Sequence, residues 1–358
     1  MGGTAGTAEA TKRPPRAKIQ WPLFAIPPNC INFVSMNTSA TQAVRISVVM
    51  CTCNGERFLK EQLDSIMAQE LAPHELIIQD DASTDSTPDL LRAYAETHPG
   101  TVRLFFNEER LGFNRNFHTA MLRATGTHVA IADQDDIWYP QKLRRQADAI
   151  GGADVCFSAY DRDPAYSAHP VRHVCPSGDL AGLVFSNVIP GHTLLVRRDF
   201  LDRAEAWNEG FYYDWWFLLV AAIDGHGVVR VDEPLNWHRP HAASAIARLR
   251  QRNAWRDTAA HPTWQPYVYG WADLYRLRRQ PMWRQFYSRL RTLAADGRAP
   301  LVHDLASALL DGGLPWRLCR LCLRNRATLC PTASGARQCL RAFCYPAIYA
   351  YGNTNFNL

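Results

Sequence analysis

Nothing in the 358 residues approaches the ~18 consecutive apolar positions that a membrane-spanning helix requires. The opening stretch, Met1 to Lys18, is rich in Gly, Ala, Thr and Pro and has no compact apolar segment of the kind a secretory signal carries. A Gly-x-x-x-x-Gly-Lys-Ser/Thr loop is missing, so phosphates are not cradled here as in a P-loop ATPase. No Asp-x-Asp-x-Thr follows a strand, and "DDAST" has another spacing, which removes a phosphatase with an aspartyl nucleophile. Ten cysteines are present, but scattered in the manner of reduced cytosolic thiols rather than a disulfide framework. Cys319-x-x-Cys322 has zinc spacing, yet no second Cys-x-x-Cys or His-x-x-x-His follows it. No nucleic-acid-binding motif occurs.

What is there reads as ordinary globular protein, 47% hydrophobic and 20% charged. Residues 1–43 read as a disordered leader, with Met36 as a second candidate start. From Arg45 onward, strand-like and helical runs alternate. "RISVVMC", "HELIIQ", "VRLFF" and "THVAIA" are apolar, β-branched strands. Between them, "ERFLKEQLDSIMAQE", "STPDLLRAYAETH" and "NRNFHTAMLRA" carry helical spacing, and "PQKLRRQADAI" follows. Such alternation predicts a mostly parallel sheet with helices on both faces, and its ligands lie beyond the carboxyl ends of the strands. "ADVCFSAY", "HTLLVRR" and "GVVRV" are further strands, and "WWFLLVAAI" is a buried helix. After about Ala245 the chain is helical and rich in Arg and Trp.

Two strands end on acids, in "QDDASTD" (79–85) and "DQDDIW" (133–138). For Asp85 the helix start that follows is explanation enough. The second run is different: Asp133, Asp135 and Asp136 crowd the end of an apolar strand, and like charges this close resist joint ionisation without a cation or partner. Carboxylates two residues apart in a turn can share one divalent ion, and hard oxygen ligands select Mg2+ or Mn2+. Trp138, next to the acids, is a candidate platform for a sugar ring or simply core.

Six stretches then carry a resemblance: "ISVVMCTCNGERFLKEQLDSIMAQ", "ELIIQDDASTDST", "NEERLGFNRNFHTAMLRATGTHVAIADQDDIWYPQKL", "NVIPGHTLLVRRDF", "YDWWFLLVAAIDG" and "EPLNWHRPH". In that order they resemble glycosyltransferase family 2, in its rhamnosyltransferase-like branch, over about residues 44–245. The resemblance implies an α/β, GT-A type fold and inverting transfer from a dTDP- or UDP-linked sugar to a glycan or lipid-linked acceptor in surface polysaccharide synthesis. It makes Asp133 and Asp135 the pair that holds the metal on the diphosphate, and gives Asp81 the base or ribose. Thr52 and Glu56 fall where the first strand lines the nucleotide. Asn114, Arg115 and Asn116 fall where donor contacts are placed. Asp214 resembles the catalytic base, and His241 the late histidine that faces metal and diphosphate. Three positions depart from the family pattern: Cys53, where an aromatic is common; Tyr213, where His is common; and His238, at the usual Tyr position. Without the family, Asp214 reads rather as a helix-capping aspartate before an apolar helix.

The expected organisation is a leader (1–43), a GT-A catalytic domain (44–250) and a helical C-terminal extension (251–358). Residues 301–358 hold six Arg against two Asp. In "LPWRLCRLCLRN", Arg317, Arg320 and Arg324 form one helical stripe and Leu314, Leu318, Leu321 and Cys322 another. That pattern suits an anionic membrane surface or a terminal helix packed on its own domain. The expected location is the cytoplasm, at the cytoplasmic face of the membrane if the stripe binds lipid. A catalytically silent nucleotide-sugar or glycan binder on the same fold is the other reading. It is separated from the enzyme by the intact set Asp81, Asp133, Asp135 and Asp214. The sheet-edge acids argue against nucleic acid as a partner.

Overall fold

Alternation along the first strand shows how the sheet is clad. In the computed structural model, β1 (Ile46–Thr52) turns Ile46, Val48 and Met50 to one face and Val49 to the other, as a two-residue period requires. The first face packs on Leu59, Leu63 and Ile66 of α1 (Leu59–Met67), the second on Phe117 and Met121 of α3 (Phe113–Met121). The structure describes residues 44–163, 166, 172–208, 211–241, 244, 264–351 and 353. The expected leader 1–43 and the boundary expected at 250/251 lie outside the described residues.

Three more strands join in parallel: β2 (Glu75–Asp80), β3 (Val102–Phe106) and β4 (His128–Ala132), with α2 (Thr87–Thr97) between the second and third. After the short β5 (Ile137–Trp138) and α4 (Lys142–Ile150) come β6 (Val155–Asp161), β7 (His173–Val174), α5 (Leu180–Phe185), β8 (Leu194–Arg197), α6 (Arg198–Leu201), α7 (Tyr213–Asp224) and β9 (Val228–Trp237). The sheet order is β3-β2-β1-β4-β8-β6-β9-β5, with β7 on β6. β8 runs antiparallel to both neighbours, and β6 pairs in parallel with β9. The mostly parallel α/β sheet flanked by helices that the sequence predicts is therefore present. The first strands carry their carboxyl ends to one edge, where the acids sit.

The C-terminal helices are α8 (Gln265–Leu277), α9 (Pro281–Leu293), α10 (Pro300–Leu310), α11 (Trp316–Arg324), α12 (Arg326–Leu329), α13 (Gly335–Phe343) and α14 (Tyr345–Ala350). They share one apolar core with α7. Phe286 packs its ring 4.6 Å from Trp215 and 5.0 Å from Phe211, and Tyr287 donates its hydroxyl to Val184 O at 3.0 Å. Fully burying a side chain such as Phe286 is worth roughly 1.5–3 kcal/mol, so these helices brace the element that bears Asp214. The apolar stripe expected to meet a membrane is divided. Leu318 and Cys322 are buried in the protein, Leu321 is half-buried, and only Leu314 stands out, 75% exposed. Among the described residues the cysteines at 319, 322, 330, 339 and 344 are free thiols and gather in no three-ligand group.

Candidate active site

Backbone register sets the first wall of the site. Thr52 ends β1 opposite Asp80 on β2, and its hydroxyl donates to Asp80 Oδ1 at 2.7 Å. Asp80 also accepts the Ser83 amide and hydroxyl, which closes the turn after β2. Asp81 is 5% exposed and fully engaged: Oδ1 accepts the Leu111 amide and Asn107 Nδ2, and Oδ2 accepts the Gly112 amide at 3.0 Å. Its carboxylate thus pins the loop that leads into α3. Gly112, at φ 78°, has the left-handed backbone that glycine adopts most easily.

The second wall is the turn after β4. Gln134 binds the backbone of Cys53 through both amide atoms, Oε1 to the amide at 2.9 Å and Nε2 to the carbonyl at 3.3 Å, so the acidic turn is tied to the end of β1. A Cβ on Gly55 would come within 2.3 Å of Gln134 Oε1, which leaves glycine to allow the tie. Burial pushes the Asp133 carboxyl well above its usual range, and the neighbouring Asp136 and Asp135 add to the effect. The Asp133 carboxyl makes no hydrogen bond to any described residue. Asp135 is raised too, first by burial and then by Asp136, although His241 Nε2 lies 2.5 Å from its Oδ2. The His241 ring rests against Phe58, at 5.1 Å between centroids.

Asp136, the third acid, faces inward and is completely buried. Its Oδ1 accepts His238 Nδ1 at 3.0 Å and the Arg239 amide at 3.2 Å, while His192 Nδ1 is 3.4 Å from Oδ2. Burial opposes ionisation of Asp136, but the His238 imidazole and the hydrogen bonds from it and from the Arg239 amide hold its carboxyl below the usual range. The His192 and His238 rings stack at 4.9 Å. Asn236 Oδ1 takes Lys142 Nζ at 3.2 Å, which turns its Nδ2 toward His192 Nδ1 at 2.9 Å and leaves the His192 proton on Nε2. Burial keeps His192 neutral, at about 3, and lowers Lys142 to about 7. Asp136, His192 and His238 are the described residues whose ligand atoms gather within 4.8 Å, whereas Asp133, Asp135 and His241 do not all come that close. The buried trio acts as a clamp: it holds residues 238–239 on the acidic turn and so brings His241 onto Asp135.

Asp214 lies in the first turn of α7, with Tyr212 as the flanking cap residue. Its Oδ1 accepts Asn187 Nδ2 at 2.9 Å and the Trp215 amide at 2.8 Å. Burial raises its carboxyl to about 6, against the lowering effect of Asn187, Trp215 and the Gly191 amide. A carboxylate so tuned is ionised and basic near neutrality, as a general base must be. Asp214 is also close enough to Asp133 to disfavour ionisation there, so it lies near the acidic turn.

The remaining predicted positions take other places. Glu56 is exposed, and its Oε2 accepts the Ser86 amide at 2.9 Å, at the start of α2. Asn114 Oδ1 accepts the Tyr213 amide at 3.2 Å, joining α3 to the turn that bears Asp214. Arg115 is exposed. Asn116 is buried, and its amide is spent on Gln79 and Asn107. Trp138 is only 2% exposed, beneath Lys142 Nζ at 4.7 Å, and belongs to the core rather than to a sugar platform. Sequence reasoning gave no role to Asn187, His192 or Lys142, and left Asp136 as one of three crowded acids.

Comparison with known proteins agrees with this geometry. The family model for glycosyl transferase family 2 matches residues 47–218. The chain is 30% identical over 220 residues to the dTDP-rhamnosyl transferase RfbG of Shigella flexneri, covering 55% of this chain and 73% of that one. It is 28% identical over 215 residues to an uncharacterized protein of Mycobacterium tuberculosis, covering 55% of this chain and 59% of the relative. The chain therefore spans 59% of the length of that mycobacterial relative. Among solved structures, residues 1–349 of S. aureus TarS in complex with UDP-GlcNAc share the fold at a TM-score of 0.51 and 14% identity, covering 87% of this chain and 90% of that one. With the ordered motifs, the acid-lined edge of a mostly parallel sheet and the match to RfbG in hand, the chain belongs to glycosyltransferase family 2.

Proposed function

We propose that the protein transfers a sugar, with inversion, from a nucleotide-diphosphate donor to a hydroxyl of a glycan or lipid-linked acceptor. The observation that carries the reading is Asp214, a carboxylate raised by burial to about 6, held by Asn187 and set beside Asp133. Inversion in one step needs a base on the face opposite the departing diphosphate. Asp214 takes the acceptor hydroxyl's proton as the oxygen attacks the anomeric carbon. Asn187 and the Trp215 amide hold the accepting oxygen in place. In this reading Thr52 and Asp81, at the carboxyl ends of β1 and β2, serve the donor, and the name of RfbG supports a dTDP-linked sugar.

The acidic turn suits Mg2+ or Mn2+. The Asp133 carboxyl has no hydrogen-bond partner among the described residues, and three carboxyl groups crowd together there. Oxygen ligands from Asp133 and Asp135, with the His241 imidazole, match such an ion. When bound, it neutralises charge on the leaving diphosphate. No disulfide joins the described cysteines to one another, which fits a cytoplasmic setting.

A thermal-shift screen of nucleotide sugars with manganese, followed by a transfer assay with the best donor, tests the proposal. A bound donor stabilises by the logarithm of its concentration over its dissociation constant, so one donor should stand out and then be consumed with an acceptor present. A donor that binds but is never transferred would favour a silent binder, and no binding by any nucleotide sugar would overturn both.

A further inference from the structure

The surface of α11 and α13 is unlike the rest of the molecule. On α11, Trp316, Arg320 and Arg324 recur every fourth residue, so they share one face, and all are exposed. Leu318, Cys319 and Cys322 point the other way, into the core. On α13 every residue from Ala336 to Arg341 except Gln338 is exposed, with Leu340 at its centre. The Phe343 ring meets Trp316 at 6.1 Å and joins the two helices. Helical spacing places Arg337 and Arg341 beside Leu340 on α13, and Arg320 and Arg324 on the Trp316 face of α11, with the Trp316–Phe343 contact between the helices. Trp316 is 64% exposed and Leu340 59%, with Leu314 adjoining Trp316 in the chain.

Charge decides what this strip fits. Arg317 pairs with Asp304, but none of Arg320, Arg324, Arg337 and Arg341 has a carboxylate partner among the described residues. The chain from 301 to 358 offers only two Asp against six Arg. An apolar ridge with a tryptophan, flanked on both sides by unpaired arginines, matches the boundary of an anionic bilayer. Aromatic rings sit there at headgroup level and arginines meet lipid phosphates. A protein partner of ordinary composition would bring carboxylates and apolar groups together, but nothing on this face selects a particular one.

We infer that Trp316, Leu340 and Phe343, with Arg320, Arg324, Arg337 and Arg341, form a docking surface for an anionic lipid membrane. The surface differs from the stripe legible in the sequence, whose Leu318 and Cys322 face inward. It stands independently of the reaction proposed above. An acceptor attached to lipid would nevertheless be met at the same boundary.

The test is co-sedimentation of the full chain with vesicles of equal parts phosphatidylglycerol and phosphatidylcholine, and with vesicles of phosphatidylcholine alone. The expected result is binding to the anionic vesicles only, falling as salt rises. Arg320→Gln with Arg337→Gln lowers the partition coefficient by roughly fivefold per arginine. The paired Arg→Lys variants retain binding. Trp316→Ser with Leu340→Ser lowers it by about tenfold. All four side chains are exposed, so thermal midpoints should match the parent and exclude unfolding as the cause. Equal binding to both vesicle types, no binding to either, or unchanged binding by the variants overturns the inference. So does self-association of the parent chain in light scattering that the Trp316 and Leu340 variants abolish while vesicle binding stays unchanged.

Discussion

The side-chain amide of Asn187 donates to Asp214 Oδ1 at 2.9 Å, and this contact tempers the carboxylate that burial makes basic. Burial raises the Asp214 carboxyl to about 6, and Asn187 restrains the rise by favouring the ionised form. Asn187→Ala should therefore raise the carboxyl further. A base works only when ionised, so the acid limb of the pH–rate profile should lie near pH about 6 in the parent and move upward in the variant. The deficit is then largest on the acid side and closes as pH rises. A profile lowered equally at every pH would mean that Asn187 positions the acceptor and leaves the base unaltered.

Asp136 holds the His238 side chain and the Arg239 amide from a completely buried position. Removing one partner of a buried charged network typically costs 3–5 kcal/mol. Asp136→Ala should lower the free energy of unfolding by roughly that amount, as chemical denaturation would report. Asp136→Asn keeps the shape and loses less. It should still loosen the hold of His241 on Asp135 and so weaken donor binding more than it weakens the fold. Parent-like stability in Asp136→Ala would show that the clamp is not structural.

Much of the fold was legible because local chemistry speaks for itself. "ISVVMC" and "ELIIQ" are apolar and β-branched, and they are buried strands in register. Asp85 accepts the Thr87 amide at 3.0 Å at the start of α2, as its Ser-Thr-Pro sequel announces. The clamp was not legible, because its parts lie far apart: Asn236 meets His192 across 44 residues and His238 meets Asp136 across 102. Nor does a motif position reveal which way a side chain turns. Asn116 stands in a run that suggests donor contacts, yet its amide is consumed under the sheet by Gln79. In α11 the amphipathic pattern was correct, but periodicity says only that one face is covered, not whether protein or lipid covers it.

The crowded acids lead to a prediction about metal. Asp133 and Asp135 are both raised by burial and by neighbouring carboxyls, so the protein alone offers a cation carboxyls that resist joint ionisation and an incomplete set of ligands. Manganese should bind weakly to the protein by itself and much more tightly with UDP or dTDP, whose phosphates supply the missing ligands. Asp133→Asn should reduce the nucleotide-dependent affinity by at least about tenfold. Calorimetry that gives one manganese affinity with and without nucleotide would count against a shared site.

Asp214→Asn separates a catalytic base from a structural residue through two readouts that move in opposite directions. The amide keeps the shape and can still accept from Asn187, but takes no proton at neutral pH. Loss of general-base help costs ~10²- to 10⁴-fold in transfer rate. Donor binding should change little, because the base acts only as the acceptor attacks. Stability follows from linkage. The folded carboxyl titrates at about 6, above the ~3.9 of an unfolded aspartate. Between those values the native state holds more protons than the unfolded chain, so this group's contribution falls as pH rises through the window and stays reduced above it. Asn carries no such penalty. The variant should therefore be more stable than the parent at neutral pH, by roughly 3 kcal/mol, with the gain vanishing below about pH 4. A slow but more stable enzyme is the signature of a carboxylate kept in apolar surroundings for its chemistry. A variant that transfers sugar at the parent rate places the base elsewhere, and one that is less stable at neutral pH makes Asp214 a structural anchor of α7.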